Sequence, residues 1–74
     1  MTLDQIKENN TAKILRISCN DELKQRFYSF GIIKGAQILV EKISLAKNTI
    51  EITVDDTSVG MRIQEAKQIE VESI

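Results

Sequence analysis

The chain of 74 residues has no histidine, no proline and no tryptophan, and its one cysteine is Cys19. Without histidine, the common catalytic triads, histidine acid–base pairs and histidine metal sites are excluded. A lone cysteine cannot close an internal disulfide, which removes the stapled secreted scaffolds. No apolar run approaches the roughly 18 residues that a spanning helix needs, so no direct membrane insertion is expected. The opening MTLDQIKENN has no apolar core region and carries acids. It does not read as a signal peptide, and the expected location is the cytoplasm. Ten Lys and Arg stand against eleven Asp and Glu, a formal charge of -1. No net basic field is available to draw in nucleic acid or an anionic membrane. The length predicts one domain, residues 1–74. A core of that size rarely supplies more than about 3–5 kcal/mol, which leaves little to hold a strained catalytic site. No enzyme activity is expected.

What the chain does have is concentrated in Asp21–Val40, DELKQRFYSFGIIKGAQILV. Leu23, Phe27 and Phe30 recur at helical spacing on one face. All three aromatic residues, Phe27, Tyr28 and Phe30, fall here, and Phe27 and Phe30 are expected in the core. Asn20 is placed to cap the helix, with Asp21 and Glu22 at the positive end of its dipole. Gly31 suits the left-handed residue after the helix, with Ile32 folding back onto Phe27. Gly35 permits a second turn. The helix is predicted over about 20–30.

Strands are predicted around it. Ala12–Ser18 is the first, and Ile14 and Ile17 can share its inner face only across a bulge. Ala36–Ile43 is the second, with Ile38 and Val40 inward. A loop at Ser44–Asn48 leads to Thr49–Asp55, where Ile50, Ile52 and Val54 alternate cleanly with polar residues. Asp56–Ser58 reads as a turn, and Val59–Ala66 as a short helical segment, a turn at about 60–66. Gln68–Glu72 is a last strand with Ile69 and Val71 inward. Leu3 and Ile6 suit one helical turn over the end of the core, with Thr2 and Gln5 as a capping box, and Asn9 and Asn10 suit a left-handed turn. The pattern predicts a mainly β fold: a small antiparallel barrel with one inserted α-helix, or else a helix laid across an open sheet.

Leu23, Arg26, Phe30, Gly31, Ile32 and Gly35, then Ile38 and Val40, then Met61, Arg62, Glu65, Ala66, Ile69 and Val71 form a pattern that resembles the FeoA family. FeoA proteins are small components of bacterial ferrous iron transport. The resemblance runs from Leu3 to Val71. It implies an SH3-like barrel and a role as an accessory protein that binds FeoB, the membrane iron transporter with a cytoplasmic G-domain. The same domain ends iron- and manganese-dependent repressors, so a metal-responsive regulatory module is the alternative the resemblance implies. The family's prolines near residues 8–9, at 34 and in the 44–48 loop are absent. Those are turn positions, where asparagine or a flexible loop can replace proline.

The candidate partner-binding residues are Arg26, Tyr28, Lys34 and Arg62; Leu23, Phe27, Phe30, Gly31 and Gly35 are read as structural. Cys19 matches no closed zinc or iron site and is expected to be buried structure. Asp55 and Asp56 form an acidic pair of a kind common in turns. Gly31 and Gly35 follow a helix rather than precede one, so they make no phosphate cradle. No cofactor is expected; weak binding of ferrous iron or another divalent metal stays open. A nucleic-acid-binding barrel would need a basic surface and stacking aromatics that this sequence lacks.

Overall fold

A computed structural model describes all 74 residues. A short 3-10 turn, Leu3–Gln5, leads into β1 (Thr11–Ile17), α1 (Asp21–Ser29), β2 (Gln37–Ser44), β3 (Thr49–Val54), β4 (Thr57–Arg62), α2 (Ile63–Ala66) and β5 (Ile69–Ser73). The strands form one antiparallel sheet in the order β4-β3-β2-β1-β5. The sheet curls around a single core, and α2 links its two end strands, β4 and β5, along the chain. Ile14, Ile38, Val40, Ile50, Ile52, Val54, Ile69 and Val71 all face inward and are buried. The curl is assisted by register shifts between Ile14 and Arg16 in β1 and between Val40 and Lys42 in β2. A bulge of this kind bends a strand and raises its twist. It is also what lets both Ile14 and Ile17 reach the interior.

α1 begins and ends as its sequence dictates. The Asn20 side-chain oxygen accepts from the Leu23 N–H at 2.8 Å. At the other end Ile32 N–H donates to the Phe27 carbonyl and Gly31 N–H to the Tyr28 carbonyl, both at 3.0 Å. With Gly31 at φ +86, this is a Schellman stop. It delivers Ile32 into the core, fully buried beside Phe27. Phe30 departs from expectation: it is 40% exposed. It occupies the C-cap, where the chain already turns away, and Ile32 fills the space that helical spacing assigns to it. Leu23 is half-buried against the core.

The segment after β3 also differs from the sequence reading. The turn is Asp55 and Asp56, both with positive φ, and Thr57–Arg62 is a strand rather than turn and helix. The helical segment is only Ile63–Ala66. Val59 and Met61 point inward while Ser58 and Gly60 point out, a period of two that six residue pairs with β3 reinforce. Gly60 is a poor helix residue, and aspartates tolerate the left-handed conformation of a tight hairpin. Those local facts become decisive only when β3 is available as a partner.

Replacing Gly31 tests the helix stop. A Cβ there would lie 3.6 Å from Val54 Cγ1, an ordinary contact, so the penalty is conformational. Gly31→Val is expected to cost at least about 1–2 kcal/mol. Gly31→Asn should cost less, because asparagine visits the left-handed region more readily. Urea denaturation of both variants reads the difference; equal losses would assign the effect to packing.

Candidate functional site

Arg26 lies on the exposed face of α1, and its guanidinium reaches Glu65 of α2, Nη2 to Oε2, at 3.2 Å. The other Glu65 oxygen accepts from the Arg62 N–H at 3.0 Å. One carboxylate therefore caps α2 and fastens α1 to it. Arg62 and Gly60 stand beside Thr49 and Glu51 through the β3–β4 pairing. These residues, with Arg26, Glu65 and Met61, line an open cleft of about 370 Å³. Across the Arg26–Glu65 pair lies a second hollow of about 330 Å³, lined by Asn20, Glu22 and Leu23 as well as the pair itself. The ion pair is thus a ridge between two hollows. Two arginines and two glutamates share the first cleft, so its charge is mixed rather than anion-selective.

Of the candidate residues, Arg26 and Arg62 come together in this cleft. Tyr28 and Lys34 do not line it. Tyr28, Phe30 and Ile33 are 49%, 40% and 48% exposed around the end of α1, and Lys34 is exposed in the turn that follows. Gly35, at φ +90, donates its N–H to the Ile14 carbonyl at 2.7 Å and so holds that turn against β1. Sequence reasoning missed Glu51 and Gly60 as cleft residues, and Glu65 as the hub of the site. The local signal for Glu65 was its place three residues after Arg62, as in a capping box. Its bond to Arg26 spans 39 residues and has no local signal. The 44–48 loop is tied to α2: Asn48 Nδ2 donates to Gln64 Oε1 at 2.7 Å, and the Asn48 carbonyl accepts from Ile63 N–H at 3.0 Å.

Cys19 is half-buried and packs against the core. Burial pushes its thiol above the ordinary value, and nearby Lys24 offsets part of that. No three acidic or cysteine side chains converge as a metal cluster.

A family model for the FeoA domain matches residues 1–73. The chain belongs to the FeoA family. "Putative Fe(2+) transport protein A" of Campylobacter jejuni is 39% identical over 74 residues, covering all of both chains. Its namesake from Helicobacter pylori strain J99 is 36% identical over 70 residues, 93% of this chain and 90% of the relative. Among solved structures, the FeoA protein of Chlorobium tepidum superposes with a TM-score of 0.94 at 23% identity, over all of this chain and 70% of that one. A Stenotrophomonas maltophilia FeoA complexed with zinc, described as a procaryotic SH3 domain protein, gives 0.84 at 24% identity over 97% and 89%. The FeoA fold is therefore SH3-like here too.

Two outcomes test the local chemistry of this FeoA site. Glu65→Ala removes both the cap and the ion pair and should cost about 1 kcal/mol. Arg26→Ala should stay within about 0.5 kcal/mol, because the pair is exposed. Glu65→Gln should recover most of the loss through its amide oxygen, read by urea titration. For Cys19, the folded pKa lies above the unfolded one. Its contribution to stability is therefore present below the unfolded pKa and lost as pH rises through the folded value. Iodoacetamide labelling should be half-maximal at a higher pH in the folded protein than in urea; coincident profiles would contradict the burial.

Proposed function

We infer that this chain is a cytoplasmic accessory protein of bacterial ferrous iron transport, without catalytic activity. It acts by docking onto the cytoplasmic portion of a FeoB-type membrane transporter. The supporting observation is full-length identity of 39% to a relative whose name states Fe(2+) transport, in a chain whose buried residues are all apolar. With no polar side chain in the interior, what the protein does is done by its surface. No helix is long and apolar enough to cross a membrane, so the transport step itself falls to a partner. The docking surface is assigned to α1 and its surroundings: Arg26 and Arg62 at the cleft, Tyr28 and Lys34 at the helix end. An exposed tyrosine and arginines are favoured interface chemistry. The likeness to a manganese-dependent transcriptional repressor, TM-score 0.92 at 23% identity, is one of fold and supports no second reading.

The test is ferrous iron uptake in cells carrying Tyr28→Ala, Arg26→Ala or Arg62→Gln. Neutral replacements are chosen because a glutamate at 26 would face Glu65. Each should reduce uptake while leaving stability within about 0.5 kcal/mol of the parent. Lys47→Glu in the β2–β3 loop should leave uptake unchanged. Normal uptake in all three folded variants would move the docking surface elsewhere.

A further inference from the structure

The two ends of the sheet are finished differently. At β5 the outer edge is occupied: Val71 N–H donates to the Met1 carbonyl at 2.8 Å, and Thr2 bridges to Glu70. That strand also carries Glu70 and Glu72, charges of the kind that discourage strand addition. β4 is protected only at its last residue, where the charged Arg62 donates its N–H to Glu65. No strand pairs beyond it, its register with β3 runs without a shift, and Thr57–Met61 contains neither charge nor proline. The hairpin closes on the pair Val54 and Thr57. In a two-residue hairpin that pair is hydrogen-bonded, and such pairs alternate along an antiparallel ladder. Thr57, Val59 and Met61 therefore spend their backbone groups on β3. Ser58 and Gly60 turn theirs outward.

Gly60 adds an independent observation. It has no positive φ, and a Cβ placed on it would meet nothing within 4 Å. Neither its own backbone nor the packing of this chain calls for a glycine. Strand glycines mark bulges, barrel bends or a close approach by a ligand or another backbone; β4 pairs with β3 without a shift, which points to an approach from outside.

We propose that β4 is a dimer edge at which a second copy of this chain adds antiparallel, making one sheet continuous across a two-fold axis beside Val59. In that register Ser58 of each copy lies opposite Gly60 of the other. The Ser58 N–H donates to the facing Gly60 carbonyl and the Gly60 N–H to the facing Ser58 carbonyl, repeated by the axis. Every outward backbone group of the two residues is then used, so the edge is its own complement. The absence of charge from 57 to 61 lets identical strands meet without like-charge opposition. Gly60 presents no side chain to the serine opposite. Gly60 also lines the cleft that holds Arg26 and Arg62, so this edge adjoins the surface assigned to the transporter, and the two contacts compete there.

A contact of one strand edge is small, so association is expected in about the micromolar to millimolar range. Sedimentation equilibrium of the whole chain should show monomer passing to dimer across that range. In the same samples, amide exchange followed by NMR should slow at Ser58 and Gly60 as concentration rises. Val59 and Met61, bonded to β3, should be protected throughout. The double variant S58K/G60K puts like charges opposite one another in the dimer and has open space in the monomer at Gly60. It should keep the monomer's spectrum and weaken association by at least about tenfold. A chain that stays monomeric at every concentration would overturn the proposal, leaving the edge for a strand of another protein. So would a dimer whose Ser58 and Gly60 amides exchange freely, or one that survives S58K/G60K unchanged.

Discussion

The structure depends on burying one face of one sheet. All seventeen buried residues are apolar, with no buried polar or charged side chain. A chain of this length cannot stack two large layers, so the sheet must curl until its inner face meets itself. The register shifts in β1 and β2, the tight aspartate turn before β4 and the short α2 link from β4 to β5 all serve that closure. α1 sits outside the curl and contributes mainly Phe27, while Ile32 enters through the turn behind it. An interior this uniform leaves the polar side chains at or near the surface.

At that surface the organising group is a single carboxylate. Glu65 satisfies a backbone donor at the start of α2 and pairs with Arg26 of α1. The pair itself is exposed and adds little stability. Its consequence is positional: it sets where the Arg26 side chain stands and divides the surface into two hollows. A partner that offered Arg26 a carboxylate of its own would compete with Glu65 for the same guanidinium. On the proposed docking surface, recognition would therefore act directly on the α1–α2 junction, without any change in the core.

Much of this was legible from local pattern. The alternation in β3, the Asn20 cap and the Gly31 stop each act within a few residues. Their physical causes, side-chain period, free amide groups and left-handed glycine, are visible in sequence. Phe30 misled because helical spacing was extended one residue past the point where the chain turns. β4 misled because Thr57–Arg62 is short and polar on one side, with a glycine within it. Nothing local makes it a strand until β3 pairs with it along its length.

The sequence by itself determined most of the apolar half of the molecule: the inward residues of β1, β2, β3 and β5, where the helix would start and stop, and that no histidine- or disulfide-based chemistry was available. Burial follows from hydrophobic period, and period is a property of neighbouring residues. Only the tertiary structure decided the surface. It brought Arg26 to Glu65, separated Tyr28 and Lys34 from the cleft, and left β4 as the open edge while Met1 and Thr2 covered β5. Those outcomes depend on which elements end up side by side, and a contact between residues far apart in the chain leaves no periodic trace along it.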